Sequence, residues 1–162
     1  MSAPTARREL ALVDLLNRLT FIQTAKGYNT DAGENLFIFE DCVVGEDDPL
    51  GIQVEVGPDS PVMSGRRIRA EVPIQIQALV YAPAFDTIPA RIHALESLIA
   101  DIKRAVEIDE GQKADLQHGL DGTHARGLRR GVTVPLKREP GSQFYGAAVE
   151  YIATIDEAWG EP

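Results

Sequence analysis

The longest regular alternation of apolar and polar positions lies near the middle of the chain. Between residues 68 and 81 every second residue is apolar, and most of the residues between them are polar. A period of two predicts a strand with one dry and one wet face. At roughly 3.3 Å per residue the segment would span about 46 Å, whereas a usual strand has about five or six residues. We therefore expect part of it to project beyond the globular body and to need a partner.

The far end of this strand differs from its start. Pro73 cannot donate a hydrogen bond to a neighbouring strand, so we expect an edge or a bulge there. Leu79 and Tyr81 make the last residues apolar on both faces. We expect the first half to lie in the chain's own sheet and the second half to pack against a neighbouring subunit or a loop. The candidate inter-subunit contacts in the second half are Ala78, Leu79, Val80 and Tyr81.

Two further segments have the period of an amphipathic helix. The stripe of the first segment, within residues 5–21, consists of Leu12, Leu15, Leu16 and Leu19. The stripe of the second segment, within residues 89–106, consists of Ile92, Leu95, Leu98, Ile99, Ile102 and Val106. Gly27 follows the first segment, where glycine can end a helix, and Pro89 suits the first turn of the second. The chain therefore contains two helices that each need a surface to cover.

The remaining apolar runs predict four shorter strands. Residues 35–39 are apolar on both faces, which suggests burial on both sides, and residues 51–56 alternate. Residues 131–138 and 144–155 form a hairpin around Pro140 and Gly141. The order α-β-β-β-α-β-β predicts an α+β fold, with an antiparallel-rich sheet of about five strands and two helices on one face. The second face is expected to be wet or used for assembly. We expect one domain over residues 1–162, with flexible loops near 57–67 and 108–130.

The composition narrows the class of protein. The apolar content of 44% is ordinary for a soluble globular protein, and no apolar run reaches the roughly 20 residues that cross a bilayer. The single cysteine, Cys42, rules out a disulfide within the chain and suits a reducing cytoplasm. Glu40 and Asp41 precede it and should disfavour its thiolate, so a packing role is expected.

The charges argue against a general nucleic-acid-binding surface. The formal net charge is −9, while affinity for phosphate depends on clustered cations. A passive wall that DNA slides past remains compatible with this charge. Acidic residues gather within 40–48, and Glu46, Asp47 and Asp48 are the candidates for a lumen or a partner-facing loop. Basic candidates for inter-subunit contact are Arg126, Arg129 and Arg130. Opposite charges in separate loops either meet across subunits or simply face solvent.

Residues with catalytic chemistry do not form a recognised motif. Asp115, His118, Asp121 and His124 have the donor types of a metal site, but their spacing does not match helical i, i+4 ligands. The sequence has no G-x-S-x-G elbow and no glycine-rich phosphate loop. We expect no enzymatic activity, no bound metal and no cofactor. A small metal-dependent cytoplasmic enzyme that uses this cluster is the less favoured alternative.

The order of segments resembles the tail terminator proteins of tailed phages, also called tail completion or minor tail proteins. The resemblance rests on the connector 27–33 (Gly-Tyr-Asn-Thr-Asp-Ala-Gly), the stretch 68–76, the helix 92–106 with Asp101 and Ile102, and the strand 149–155. It covers most of the chain, apart from residues 108–130.

The resemblance implies a non-enzymatic virion protein at the head-proximal end of the tail, assembled in the host cytoplasm. Such a protein forms a ring, typically a hexamer, that caps the tail tube, stops its polymerisation and offers an attachment surface to the head connector. Its implied partners are other copies of itself, the major tail tube protein and the head–tail connector protein. DNA passes through the lumen without specific binding, and no membrane is involved. A head–tail connector or neck protein is the alternative within the same structural class.

Overall fold

The chain forms two helices and six strands in the residues that the structure, a computed structural model, describes: 7–64, 67–107 and 125–157. The helices are α1 (Arg7–Thr20) and α2 (Ile88–Glu107). The strands are β1 (Leu36–Ile38), β2 (Leu50–Val56), β3 (Ser60–Ser64), β4 (Arg67–Tyr81), β5 (Ala125–Pro135) and β6 (Phe144–Glu157). The predicted α+β class is confirmed.

All six strands belong to one sheet, in the order β1-β2-β4-β6-β5, with β3 paired to β4. Every pairing is antiparallel except that of β1 with β2. Helix α2 packs on β4 and β6, and helix α1 packs on β6, β5 and α2. Both helices therefore cover one face of an antiparallel-rich sheet, as the order of segments predicts.

The core lies between this face and the helices. The alternate residues of β4 that point to the helices are buried, and they pair in register with buried residues of β6 such as Val149 and Tyr151. Leu15 and Leu19 of α1, and Leu98 and Ile102 of α2, are completely buried against them. The period of two along β4 and the helical stripes thus meet in one cluster. No helix among the described residues is long and apolar enough to span a bilayer.

Strand β4 has the predicted length but lies in the middle of the sheet. It pairs with β6 along its whole length, from Ile68 to Tyr81. Its other edge is divided between β3, which pairs with residues 67–71, and β2, which pairs with residues 74–80. The expectation that part of this strand projects without a partner in its own chain is therefore wrong, because both of its edges find partners there.

Pro73 lies where the second edge of β4 changes partner. Gly57, just after β2, donates its N–H to the Pro73 carbonyl at 2.8 Å. In an antiparallel pair the N–H and C=O of one residue point to the same side. The missing N–H of Pro73 therefore faces the short connection between β2 and β3, where the ladder is interrupted. This position explains how a central strand tolerates proline.

Three boundaries differ from the sequence-based expectation. The predicted loop near 57–67 contains β3, which forms a hairpin with β4. The predicted excursion 108–130 ends inside β5, which begins at Ala125, and residues 108–124 lie outside the described residues. Strand β1 is only three residues long and runs parallel to β2, and its three residues are half-buried rather than buried on both sides.

Candidate assembly surfaces

One buried carboxylate of α2 holds the connector that follows α1. The side chain of Asp101 is 0% exposed. Its Oδ1 accepts hydrogen bonds from the N–H and Nδ2 of Asn29, at 3.1 and 2.9 Å. Its Oδ2 accepts from the N–H and Oγ1 of Thr30, both at 2.8 Å. Four donors satisfy the two buried oxygens, so the connector and α2 form one hydrogen-bonded unit.

The rest of the connector is fixed by close contacts. Arg104 of α2 donates to the carbonyl of Gly27 at 2.8 Å, and its guanidinium lies 4.5 Å from the ring centroid of Tyr28. Gly33 donates its N–H to the carbonyl of Ile22. A Cβ at Gly33 would lie 2.7 Å from the carbonyl oxygen of Leu19, so only glycine fits this approach. The connector is therefore a rigid part of the helical layer.

The acidic loop 40–49 folds back over the face of the sheet that the helices leave open. Asn35 anchors it by donating from Nδ2 to the carbonyls of Val43 and Leu50, at 3.0 and 3.2 Å. The N–H of Cys42 donates to Oε1 of Gln53, and the Cys42 sulfur lies against Gly51 so closely that no side chain fits there. The loop is thus held in place beside β1 and β2.

The candidate acids Glu46, Asp47 and Asp48 are all exposed on this loop. Cys42 is half-buried beneath it, and burial together with the charge of Asp48 raises the pKa of its thiol to about 11. The sequence predicts an unreactive thiol because of Glu40 and Asp41, and the structure assigns the same outcome first to burial and then to Asp48.

Phe39 is the most exposed large apolar side chain in the described parts of the chain. It follows β1 directly and is 81% exposed. Its φ of 61° places the backbone in the left-handed region, which is unusual for a bulky residue. Val43 is 71% exposed, and Glu40 and Asp41 are exposed on the same loop. The prediction that Phe39 is buried is therefore wrong, because β1 ends at Ile38 and the backbone turns at Phe39.

A groove lies between the first half of α2 and the β5–β6 hairpin. Its volume is about 350 Å³, and its lining consists of Ala82, Ile88, Arg91, Ile92, Leu95, Glu96, Arg138 and Tyr145. The hydroxyl of Tyr145 donates to the carbonyl of Arg91 at 2.6 Å, which ties the hairpin to the helix. Ile88 and Ile92 remain 71% and 58% exposed. Ile92 is thus the member of the predicted apolar stripe of α2 that is left exposed, and Ile88 extends this exposed apolar surface by one turn.

This groove is the feature that the sequence-based reasoning misses. Ile92 counts there as a member of the core stripe, whereas the structure buries only the later members, such as Leu98 and Ile102. The signal in the sequence is the spacing of Ile88, Ile92 and Leu95, at i, i+4 and i+7. These residues widen the apolar stripe beyond the part that one sheet covers.

Strand β5 lies at the opposite end of the strand order from β1 and carries the basic candidates. Arg129 and Arg130 are exposed, and Nη1 of Arg130 lies 3.2 Å from Oε1 of Glu107 at the end of α2. Arg126 is also in β5, but its side chain is outside the described residues. The acidic and basic candidates therefore lie at opposite edges of one sheet.

Three of the four contacts predicted at the end of β4 are internal. Ala78, Leu79 and Val80 are 0%, 5% and 0% exposed, so the prediction of an inter-subunit role for them is wrong. Leu79 pairs with Gly51, the residue that Cys42 covers, which agrees with the alternative that a loop packs there. Tyr81 is half-buried, and its hydroxyl donates to Gln143 at 3.4 Å.

The predicted metal-ligand candidates Asp115, His118, Asp121 and His124 lie outside the described residues. Within ranges 7–64, 67–107 and 125–157, no group of three or more His, Cys, Asp or Glu side chains is placed to hold a metal ion. Comparison of the sequence with protein-family models gave no match, and neither did comparison with curated proteins.

Proposed function

We propose that this chain is a non-enzymatic virion structural protein of the tail-terminator type. In this proposal, copies of the chain form a ring that caps the tail tube, stops its polymerisation and offers an attachment surface to the head connector. The observation that carries the proposal is the presence of two unlike surfaces on one subunit. An acidic loop with exposed apolar residues lies beside β1, and a basic edge and an apolar groove lie around β5, β6 and α2. A closed ring needs two such unlike surfaces on every subunit.

The arrangement of the family-like segments supports the proposal. The connector 27–33 is bonded to Asp101 in α2, and both lie against the core that β4 and β6 complete. The segments that resemble tail terminators therefore act as one structural unit. A shared unit of this kind is a better basis for the resemblance than scattered similar residues.

The acidic loop has two roles that suit a terminator ring. Glu46, Asp47 and Asp48 either line the lumen or face a neighbouring protein. Repeated around a ring, carboxylates in the lumen would repel DNA and let it pass without binding. The partners under this proposal are further copies of the chain, the major tail tube protein and the head–tail connector protein.

The proposal is tested with the tail tube protein whose gene lies near the gene for this chain. We expect the gene for this chain to lie between head-joining genes and the gene for the major tail protein. Addition of the purified chain to polymerising tube protein should then shorten the tubes and place a ring at one end, as seen by electron microscopy. Tubes of unchanged length with bare ends would contradict the proposal, as would a gene neighbourhood without a tube protein.

A further inference from the structure

We propose that Phe39 of one copy inserts into the groove between α2 and the β5–β6 hairpin of a second copy. The inference rests on the proposed function in one respect, because it takes the occupant of the groove to be another copy of this chain. It adds the contact by which neighbouring subunits recognise each other.

Phe39 has the properties of an anchoring side chain. Its ring is 81% exposed. A partner that buried an aromatic side chain of this kind would remove about 150–250 Å² of surface from water, which favours binding. Its backbone adopts the left-handed conformation at φ 61°, and such strain clusters at sites of function. The residue is also held at a defined place, because β1 precedes it and the anchored loop 40–49 follows it. A strained, exposed aromatic on an anchored turn points to a partner.

The groove has the matching properties. Its volume of about 350 Å³ accommodates an aromatic ring, and Ile88, Ile92, Leu95 and Tyr145 contribute apolar walls. Ile88 and Ile92 are exposed by more than half in the single chain. An aromatic ring in this groove would cover both isoleucines, and aromatic anchors in such pockets carry most of the binding free energy at interfaces.

The charges around the two features are complementary. Glu40 and Asp41 follow Phe39 directly and are exposed, while Arg91 and Arg138 line the groove. Glu96 also lines it, so the positive charge is concentrated in the two arginines. Exposed ion pairs contribute little to affinity, but complementary charges select the partner and speed its approach.

The geometry requires two copies. Phe39 lies beyond β1, whereas Tyr145 in the lining of the groove belongs to β6, and β2 and β4 separate these strands. Three strand spacings correspond to about 14 Å, so a subunit does not fill its own groove. The anchor and the groove are different surfaces, so the contact is head-to-tail, and it closes into a ring or continues as a filament.

The test uses two variants that each destroy one side of the contact. Phe39→Asp removes the anchor and keeps the groove. Ile92→Asp replaces an apolar wall of the groove with a carboxylate and keeps the anchor. Each variant alone should associate at least about 30-fold more weakly than the wild type, as expected when an anchor residue is lost. An equimolar mixture should form a 1:1 dimer that grows no further, because only one intact contact remains. Light scattering coupled to gel filtration measures both results.

Phe21→Asp is the matched control, since Phe21 is an exposed aromatic at the end of α1, 49% exposed and away from the groove. This variant should assemble like the wild type. If Phe39→Asp also assembles like the wild type, or if the mixture of the first two variants stays monomeric, the inference is overturned.

Rings that survive Phe39→Asp would leave the proposed function standing. A wild-type chain that stays monomeric would overturn both, and dimers in the mixture without any effect on tail tubes would overturn the proposed function alone.

Discussion

A single residue of α2, Asp101, fixes the position of the connector that follows α1. Asp101 has no contact with solvent, and its two oxygens accept all four hydrogen bonds that Asn29 and Thr30 offer. The two donors of Thr30, which is 6% exposed, would be left unsatisfied without the carboxylate. The link joins residues that are about seventy positions apart in the sequence, so it constrains the fold rather than a local turn.

Substitution of this carboxylate should be costly. Asp101→Ala leaves buried donors without acceptors and should lower the free energy of unfolding by roughly 3 kcal/mol or more. Urea denaturation followed by circular dichroism measures the change. Glu96→Ala, at an exposed position on the same helix, should change stability by no more than about 0.5 kcal/mol. A small and equal effect of the two substitutions would contradict the structural role of Asp101.

Phe39 is expected to lower the free energy of unfolding of the monomer and to strengthen self-association. Phe39→Gly removes the steric cost of the left-handed backbone and should raise the free energy of unfolding of the monomer by about 1 kcal/mol. The same variant should lose self-association, because the ring is gone. Phe39→Ala serves as the control, since it keeps a Cβ and should lose association without the gain in stability. Thermal unfolding and light scattering check the two effects, and a less stable glycine variant would refute the backbone argument.

Cys42 gives a prediction that depends on pH. Its pKa rises from 9.0 to about 11 on folding, chiefly through burial, so at pH 8 the folded chain has about 100-fold less thiolate than the unfolded chain. Iodoacetamide should therefore modify the folded protein much more slowly than the protein in urea. Since the folded state holds the proton more tightly, the free energy of unfolding should fall as the pH rises from about 9 towards 11. Cys42→Ser should lack this part of the pH dependence, and equal alkylation rates in both states would contradict the burial of the thiol.

At the scale of elements, the division of one edge of β4 between β2 and β3 determines where proline is tolerated. Pro73 lies at the junction, and its missing N–H faces the connection near Gly57. Two residues later, the N–H of Gln75 points to the same side but lies opposite Glu55 within the β2 ladder. The two positions look alike in the sequence and differ only in what lies beside them.

Substitutions to and from proline at positions 75 and 73 measure this difference directly. Gln75→Pro should lower the free energy of unfolding by about 2 kcal/mol or more, because a ladder bond is lost inside the sheet. Pro73→Ala is the matched change and should lower it by no more than about 1 kcal/mol, the entropic benefit of proline in the unfolded chain. Chemical denaturation measures both values. A larger loss at Pro73 than at Gln75 would mean that β4 is paired differently.

The same elements show what a sequence can and cannot predict. The long period of two in β4 and the leucine stripe of α1 are strong signals, and the structure has a strand and a helix at these places. Strand β3 contains Pro61 and follows turn-forming residues, so its local signal favours a loop, and pairing with β4 overrides it. The groove on α2 depends on how much of the helix the sheet covers. That extent follows from the tertiary packing and not from the helical period alone.

At the scale of the whole molecule, the two ends of the sheet differ in charge and in apolar character. The end at β1 carries Phe39, Val43 and the acidic loop, and the end at β5 carries Arg129 and Arg130. The groove takes Tyr145 from β6, the strand next to β5. Unlike surfaces of this kind favour head-to-tail growth, and the strong negative net charge limits nonspecific association between copies.

The mass of the assembly tests this account most directly. Light scattering should be recorded on the purified chain over a range of concentrations up to about 100 μM, at low ionic strength so that complementary charges act over about 10 Å or more. The account predicts a single closed species, for which six times the 17.7 kDa of one chain is the expected mass. A mass of 17.7 kDa at every concentration would contradict the claim that this chain assembles with copies of itself.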